Sequence, residues 1–234
     1  MKKLFITGND TDVGKTYVGS LLVSALINAG YSCIPRKPIE TGCKDEDGEL
    51  IPGDATIYHY ACNQKESLDL ICPYRYKPPI SPERAIRLAG ETIAAKDVFD
   101  TCIPKNEADF LLVEGAGGFY SPLCTDGLNA DLAELFDGKV ILVIKDRLGC
   151  INQTLLTMAA IAQSKLDTLA VVLNQYREHE EPAMDNFEDL SNRLELPVIP
   201  IPDLSETNQT VLDLQQKSIS ELLNIITDQL VSHA

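Results

Sequence analysis

The chain has 234 residues, 44% of them hydrophobic, which is enough to bury a full core and suits one α/β domain spanning residues 1–234. A net charge of −15 with no Lys/Arg cluster argues against nucleic acid or an anionic membrane as partner, and the longest apolar runs, such as Val140 to Ile144, are far short of the roughly 20 residues a membrane span needs. Seven cysteines without a C-x-x-C pair, and His59, His179 and His233 without metal-ligand spacing, argue against a disulfide framework and a zinc site; with the first strand starting at the N-terminus and leaving no room for a secretory signal, a cytoplasmic location is expected.

The apolar run Leu4-Phe5-Ile6 reads as a strand, and Gly8-Asn9-Asp10-Thr11-Asp12-Val13-Gly14-Lys15-Thr16 follows it. Val18, Leu21, Leu22, Ala25, Leu26 and Ala29 then recur on one helical stripe, with Gly30 placed to end the helix. A glycine-rich turn between strand and helix is a phosphate cradle. The helix N-terminus supplies unpaired N–H groups, the glycines let an anion approach the backbone, Lys15 adds an ammonium and the Thr16 hydroxyl can ligate Mg²⁺. Five residues separate Gly8 from Gly14, where the usual P-loop has four, but strand, loop, Lys-Thr and helix occur in the required order. The expected ligand is a nucleoside triphosphate, held against the acidic background by local donors: loop amides, Lys15, Lys37 and Mg²⁺.

Cys33-Ile34 begins the next strand, and Lys37-Pro38-Ile39-Glu40-Thr41-Gly42 follows. Lys37 precedes a proline and so sits at a strand end, where a second ammonium could offset charge on a transferring phosphoryl group; an ordinary surface lysine is the alternative. From Cys43 to Pro82 the chain is least regular, as expected of a substrate-covering loop. Within it, Asp54 follows Gly53, either as a second carboxylate for Mg²⁺ or as ordinary turn chemistry.

Phe110 to Val113 reads as a buried strand ending in Glu114-Gly115-Ala116-Gly117-Gly118. A carboxylate after four apolar residues is costly unless it meets a cation or donors, so Glu114 is the natural Mg²⁺ partner beside Thr16 and Asp54. Val140 to Ile144, Leu169 to Leu173 and Pro197 to Ile201 read as further strands, separated by helical patterns over Leu155 to Ala162, Met184 to Leu194 and Ile219 to Leu230. Continuously apolar strands imply helices on both faces of a mainly parallel sheet, in a single P-loop NTPase-like domain. Ligands in such sheets sit beyond the carboxyl ends of the strands, where Asn174 also falls.

Taken together, G-N-D-T-D-V-G-K-T (8–16), K-P-I-E-T-G (37–42), V-E-G-A-G-G (113–118) and R-L-G-C-I-N-Q-T-L-L-T (147–157) closely resemble the dethiobiotin synthetase family, over nearly the whole chain and including the five-residue loop spacing. The resemblance implies an ATP-dependent cyclo-ligase. One amine of 7,8-diaminononanoate captures CO₂ as a carbamate, ATP phosphorylates it, and the other amine closes a cyclic urea with release of phosphate. It also implies roles: Lys15, Lys37 and Thr11 act on the transferring phosphoryl group and the carbamate, and Thr16, Asp54 and Glu114 bind Mg²⁺. Asp12, Val13, Gly14, Lys15, Thr16 and Tyr17, with Gly115, Ala116 and Gly117, hold the nucleotide. Asn174 reads adenine beside Gln175, Pro202, Asp203 and Leu204, while Thr41 and Ser81 approach the diamine. In the family's homodimer, Gly149, Cys150, Ile151 and Asn152 at a helix N-terminus take the substrate carboxylate across the interface.

Asp12, Thr41 and Gln153 stand where many members carry Glu, Ser and His, and Lys145 and Asp146 put charges where relatives are mostly apolar. Cys150 reads as a packing residue, since no histidine is placed to activate it. The competing class is the P-loop ATPase switch of the partitioning type, which usually carries an additional lysine early in the loop; between Gly8 and Gly14 there is none.

Overall fold

A computed structural model describes residues 1–176, 184–204 and 208–231; His179 and His233 lie outside them. β1 (Lys2–Gly8) leads through the glycine-rich loop into α1 (Lys15–Asn28), and β2 (Cys33–Arg36) follows. The next stretch holds β3 (Ile39–Thr41), the hairpin β4 (Lys44–Glu46) and β5 (Glu49–Ile51), α2 (Gly53–Ala61), α3 (Leu68–Ile71) and β6 (Tyr74–Tyr76), which pairs parallel to β3. Through α4 (Pro82–Leu88) and α5 (Ala95–Cys102) the chain reaches β7 (Phe110–Glu114). A small hairpin, β8 (Pro122–Cys124) and β9 (Gly127–Leu128), precedes α6 (Asn129–Phe136) and β10 (Lys139–Lys145). After α7 (Cys150–Gln163) come β11 (Thr168–Tyr176), α8 (Asn186–Ser191), β12 (Val198–Pro202) and α9 (Gln209–Leu230).

Among the described residues the main sheet has the order β12-β11-β10-β1-β7-β2, every neighbouring pair parallel. Alternate residues of its strands feed two separate cores, which is why the strands are apolar throughout. Phe5, Leu111, Val113, Leu142 and Val171 point to one face, into a core shared with α4 to α8. Leu4, Ile6, Phe110, Leu112, Ile141 and Val172 point to the other, against α1, α2 and α9.

The expected strands are all present, with no end shifted by more than three residues. Helix boundaries differ more. The expected helix from Met184 to Leu194 contracts to α8, whose start is set by the Asp185 side chain accepting from the Glu188 amide. α9 instead begins ten residues before Ile219, capped by Asn208 accepting from the Val211 amide, because its polar first half carries no apolar stripe to read. On α1 the buried face is Val18, Gly19, Leu22, Val23 and Leu26; Leu21 and Ala25 are only half-buried and Ala29 is exposed. Gly30 does end that helix: its φ is +92° and the Tyr31 amide donates to the Leu26 carbonyl at 3.0 Å. The segment from Cys43 to Pro82 is not an irregular loop but a run of elements too short for periodicity to show. All seven cysteines are buried free thiols.

Candidate active site

The loop between β1 and α1 closes around Gly14, the N-cap of α1, in the left-handed region with φ +93°. Any Cβ there would overlap the Asn174 side chain, which donates to the Val13 carbonyl at 2.9 Å from the end of β11. The loop is thus tied to a strand tip two positions across the sheet. Lys15 arches back over it, its Nζ donating to the Asp10 carbonyl at 2.9 Å. Burial first, and the Lys37 ammonium second, push its pKa down to about 8. The two ammonium groups therefore share one site.

Glu114, 1% exposed at the end of β7, is the hub. Its Oε1 accepts from the Thr16 hydroxyl at 3.0 Å and from Lys37, and its Oε2 accepts from the Tyr58 hydroxyl at 2.7 Å. Lys37 also donates to the Gly115 carbonyl at 3.1 Å and pairs with Asp54 at 3.2 Å. Burial alone would lower the Lys37 pKa, but Glu114 and Asp54 overturn that and hold it above the usual lysine value. Tyr58 is kept protonated, its pKa raised well above the tyrosine range by burial and then by Glu114.

Asp54 owes its position to Glu40. The Glu40 carboxylate accepts from the amides of Asp54 at 2.9 Å and Ala55 at 3.0 Å, capping the N-terminus of α2 from β3, fourteen residues back. Burial and Asp54 raise the Glu40 pKa. The loop after β7 is held just as firmly. Asn129, the first residue of α6, accepts from the Ala116 amide at 2.8 Å and donates to the carbonyls of Ala116, Gly118 and Ser121 at 2.6, 3.1 and 3.2 Å.

These groups open into a cleft of about 780 Å³. Of the expected site residues, Thr11, Asp12, Gly14, Lys15, Thr16, Tyr17, Lys37, Thr41, Asp54, Glu114, Ala116 and Gly117 line it, and Gly115 reaches it through Lys37. A second cavity of about 300 Å³ adjoins at Gly14 and Tyr17 and is lined by Asn174, Gln175, Pro202, Asp203 and Leu204. Asn174, on the lining of this cavity, keeps a buried Oδ1 with no hydrogen-bond partner among the described residues. Val13 itself is buried and takes part through its carbonyl.

Two expected groups stand apart from the cleft. Ser81 is the exposed N-cap of α4, and Gly149, Cys150, Ile151 and Asn152 form the first turn of α7. The α7 turn touches the phosphate loop at its rim, where Arg147 pairs with Asp10 at 2.9 Å and the Asn9 amide donates to Gln153 at 3.4 Å. Cys150 is buried and burial raises its pKa, as suits a packing thiol. Asp146 accepts from Asn186 at 2.7 Å. Glu40, Tyr58 and Asn129 were not among the expected residues; Tyr58 follows Asp54 by four positions on one helix face, a spacing that could have marked it.

The AAA domain family model matches residues 2–210. The ATP-dependent dethiobiotin synthetase BioD of Ruthia magnifica subsp. Calyptogena magnifica is 34% identical over 226 residues, 97% of this chain and 100% of that one. The chain belongs to the dethiobiotin synthetase family. The same-named protein of Vesicomyosocius okutanii subsp. Calyptogena okutanii (strain HA) is 43% identical over 175 residues, covering 75% of this dethiobiotin synthetase family member and 79% of its relative. Among solved structures, the MinD cell division protein of Aquifex aeolicus superposes with a TM-score of 0.58 at 15% identity, over 100% of this chain and 98% of that one. That likeness shows the P-loop NTPase-like fold alone.

Proposed function

We propose that this chain closes a cyclic urea at the expense of ATP, converting 7,8-diaminononanoate and CO₂ to dethiobiotin with release of ADP and phosphate. The observation that carries the reading is Lys37, buried beside the phosphate loop and joined to both Glu114 and Asp54. Carbamate and γ-phosphate are anions that must meet, and Lys15 and Lys37 are two buried ammonium groups placed to offset their repulsion.

In this reading the first amine attacks CO₂ and loses a proton to give the carbamate. A carbamate oxygen then attacks the γ-phosphorus as the bond to ADP breaks, and the second amine attacks the carbamate carbon, giving up a proton, as phosphate leaves. The phosphate-loop amides and Lys15 hold the triphosphate, Lys37 faces the carbamate, Thr11 lies at the transferring group and Thr41 on the diamine side. Asn174 offers its open acceptor to the base amino group between Gln175 and the Pro202 to Leu204 segment, with Ser81 toward the substrate entrance.

Thr16, Asp54 and Glu114 would hold Mg²⁺. They supply hard oxygen donors, and the Lys37 ammonium bridging the two carboxylates supports a preference of this carboxylate pair for positive charge. When bound, Mg²⁺ would supply charge neutralisation for the phosphoryl transfer. A homodimer completes the site in this proposal, with Gly149 to Asn152 receiving the substrate carboxylate. Its support is the α7 surface, where Leu148, Leu155 and Leu156 are 89%, 40% and 64% exposed beside that helix N-terminus. We place the enzyme in the cytoplasm, working as one domain whose cleft is built from the tips of a single sheet. Among the described residues no helix is long and apolar enough to cross a membrane.

The test is ADP release measured with and without diaminononanoate and bicarbonate, with the product identified by mass spectrometry. Stimulation by both together, with a cyclic urea formed, is expected. ATP turnover indifferent to both overturns the proposal in favour of a nucleotide switch.

A further inference from the structure

Arg36, the last residue of edge strand β2, is 3% exposed and lies next to Lys37, but it faces away from the catalytic cleft. It lines a separate cavity of about 390 Å³ that shares no lining residue with the cleft. That volume lies within the range of small-molecule sites, about 300–1,000 Å³. Leu70, Pro73, Ile103 and Pro104 give it apolar walls.

The guanidinium is only half used. Both of its hydrogen bonds leave from Nη1, one to the Pro35 carbonyl at 2.9 Å and one to Glu66 at 2.6 Å. Its Nε is buried and has no hydrogen-bond partner among the described residues. A buried donor left unpaired is costly, and the Nε–Nη2 edge of an arginine is the edge that grips a carboxylate through two parallel bonds. The other carboxylates on the lining are already engaged: Asp69 by Arg75 at 2.6 Å, and Asp100 by Lys96. Lys105 adds a positive charge at the exposed rim.

We propose that this cavity is a binding site for a small carboxylic acid with a short apolar chain, its carboxylate on the unpaired Nε–Nη2 edge of Arg36, which a small turn of the side chain brings to the cavity, and its chain against Leu70, Pro73 and Ile103. The inference does not rest on the reaction proposed above. The acid binds outside the cleft and acts as a ligand, not as a reactant.

The probe is sodium octanoate, titrated into the full chain by calorimetry and by ¹⁵N NMR of arginine Nε–H groups, with octanol and octylamine as controls. Saturable octanoate binding is expected, with a shift of the Nε–H signal that Arg36→Lys removes, while both controls bind at least about tenfold more weakly. Arg36→Lys keeps the charge but lacks the fork, and Leu70→Glu sets a like charge on the wall at a half-exposed position; each should weaken octanoate roughly tenfold or more. Should Arg36→Lys fail to fold, Leu70→Glu decides alone. Octanol binding as tightly as octanoate, octanoate binding that survives the folded variants, or no saturable binding overturns the proposal.

Discussion

Gly19 on α1 faces the hydroxyl of Tyr58 on α2, and a Cβ at residue 19 would overlap that oxygen. The same hydroxyl donates to Glu114 at 2.7 Å. A missing side chain on one helix thus lets a second helix brace the buried carboxylate. Gly19→Ala should push Tyr58 off Glu114 and lower stability by about 1–3 kcal/mol through overpacking, despite alanine's better helix propensity. Tyr58→Phe should cut kcat roughly tenfold by freeing Glu114. Thermal unfolding and turnover of both single variants and the double variant check the link, because losses through one contact cannot add.

Lys37→Ala should lower turnover by about 10²–10³, while the ATP dissociation constant changes by less than about tenfold, since Lys15 and the loop amides remain. Unchanged turnover would remove Lys37 from the mechanism. The variant strands Glu114 without its cation, so Lys37→Met, measured beside it for unfolding midpoint, separates lost chemistry from lost packing.

Asn174→Ala should raise KM for ATP roughly tenfold with kcat at saturation near that of the parent, because the residue lines the cavity proposed for the base and ties down Val13. Gly14→Ala should be worse, combining a left-handed φ of +93° with overlap onto Asn174. An equal loss of kcat in Asn174→Ala would contradict a base-side role.

Alkaline pH should destabilise the fold through its thiols. Burial raises Cys33 and Cys102 to about 12 and Cys124 to about 11, from an ordinary value of 9.0. Below pH 9 these groups are protonated in both states and their contribution is fully present. As pH climbs from there toward 12, the unfolded chain ionises while the folded one resists, and stability is lost. Urea midpoints across that range should fall, and iodoacetamide at about pH 8 should label the native chain slowly and the denatured chain at every cysteine. Fast native labelling would contradict the burial.

Lys15 and Thr16 were legible from the glycine-rich turn between strand and helix, and Glu114 because a carboxylate ending four apolar residues needs a cation or donors; Lys37 was half legible, since a lysine at a strand end is also an ordinary surface residue. Asp54 was only half legible: Asp after Gly is ordinary in turns, and its place depends on Glu40 capping α2 across the hairpin, a contact no local pattern encodes. Tyr58 and Arg36 belong to no motif, and their settings depend on Glu114 and Glu66, 56 and 30 residues further along the chain. The stripe on α1 was drawn through Ala25 and Ala29 because periodicity cannot weigh Gly19, whose value is the room it leaves. The synthetase motifs carried the expectations for Ser81 and for Gly149 to Asn152, and those residues stand outside the single-chain cleft.

Ile6 pairs with Glu114 across the β1–β7 ladder, and the Gly115 amide closes that rung on the Ile6 carbonyl at 3.1 Å. A shift of one residue along this seam would turn Glu114 toward the opposite helical layer and swing Val113 into the nucleotide end. Misregistered molecules would then be inert as well as poorly packed, so correct assembly of the central strands can be assayed by catalysis itself.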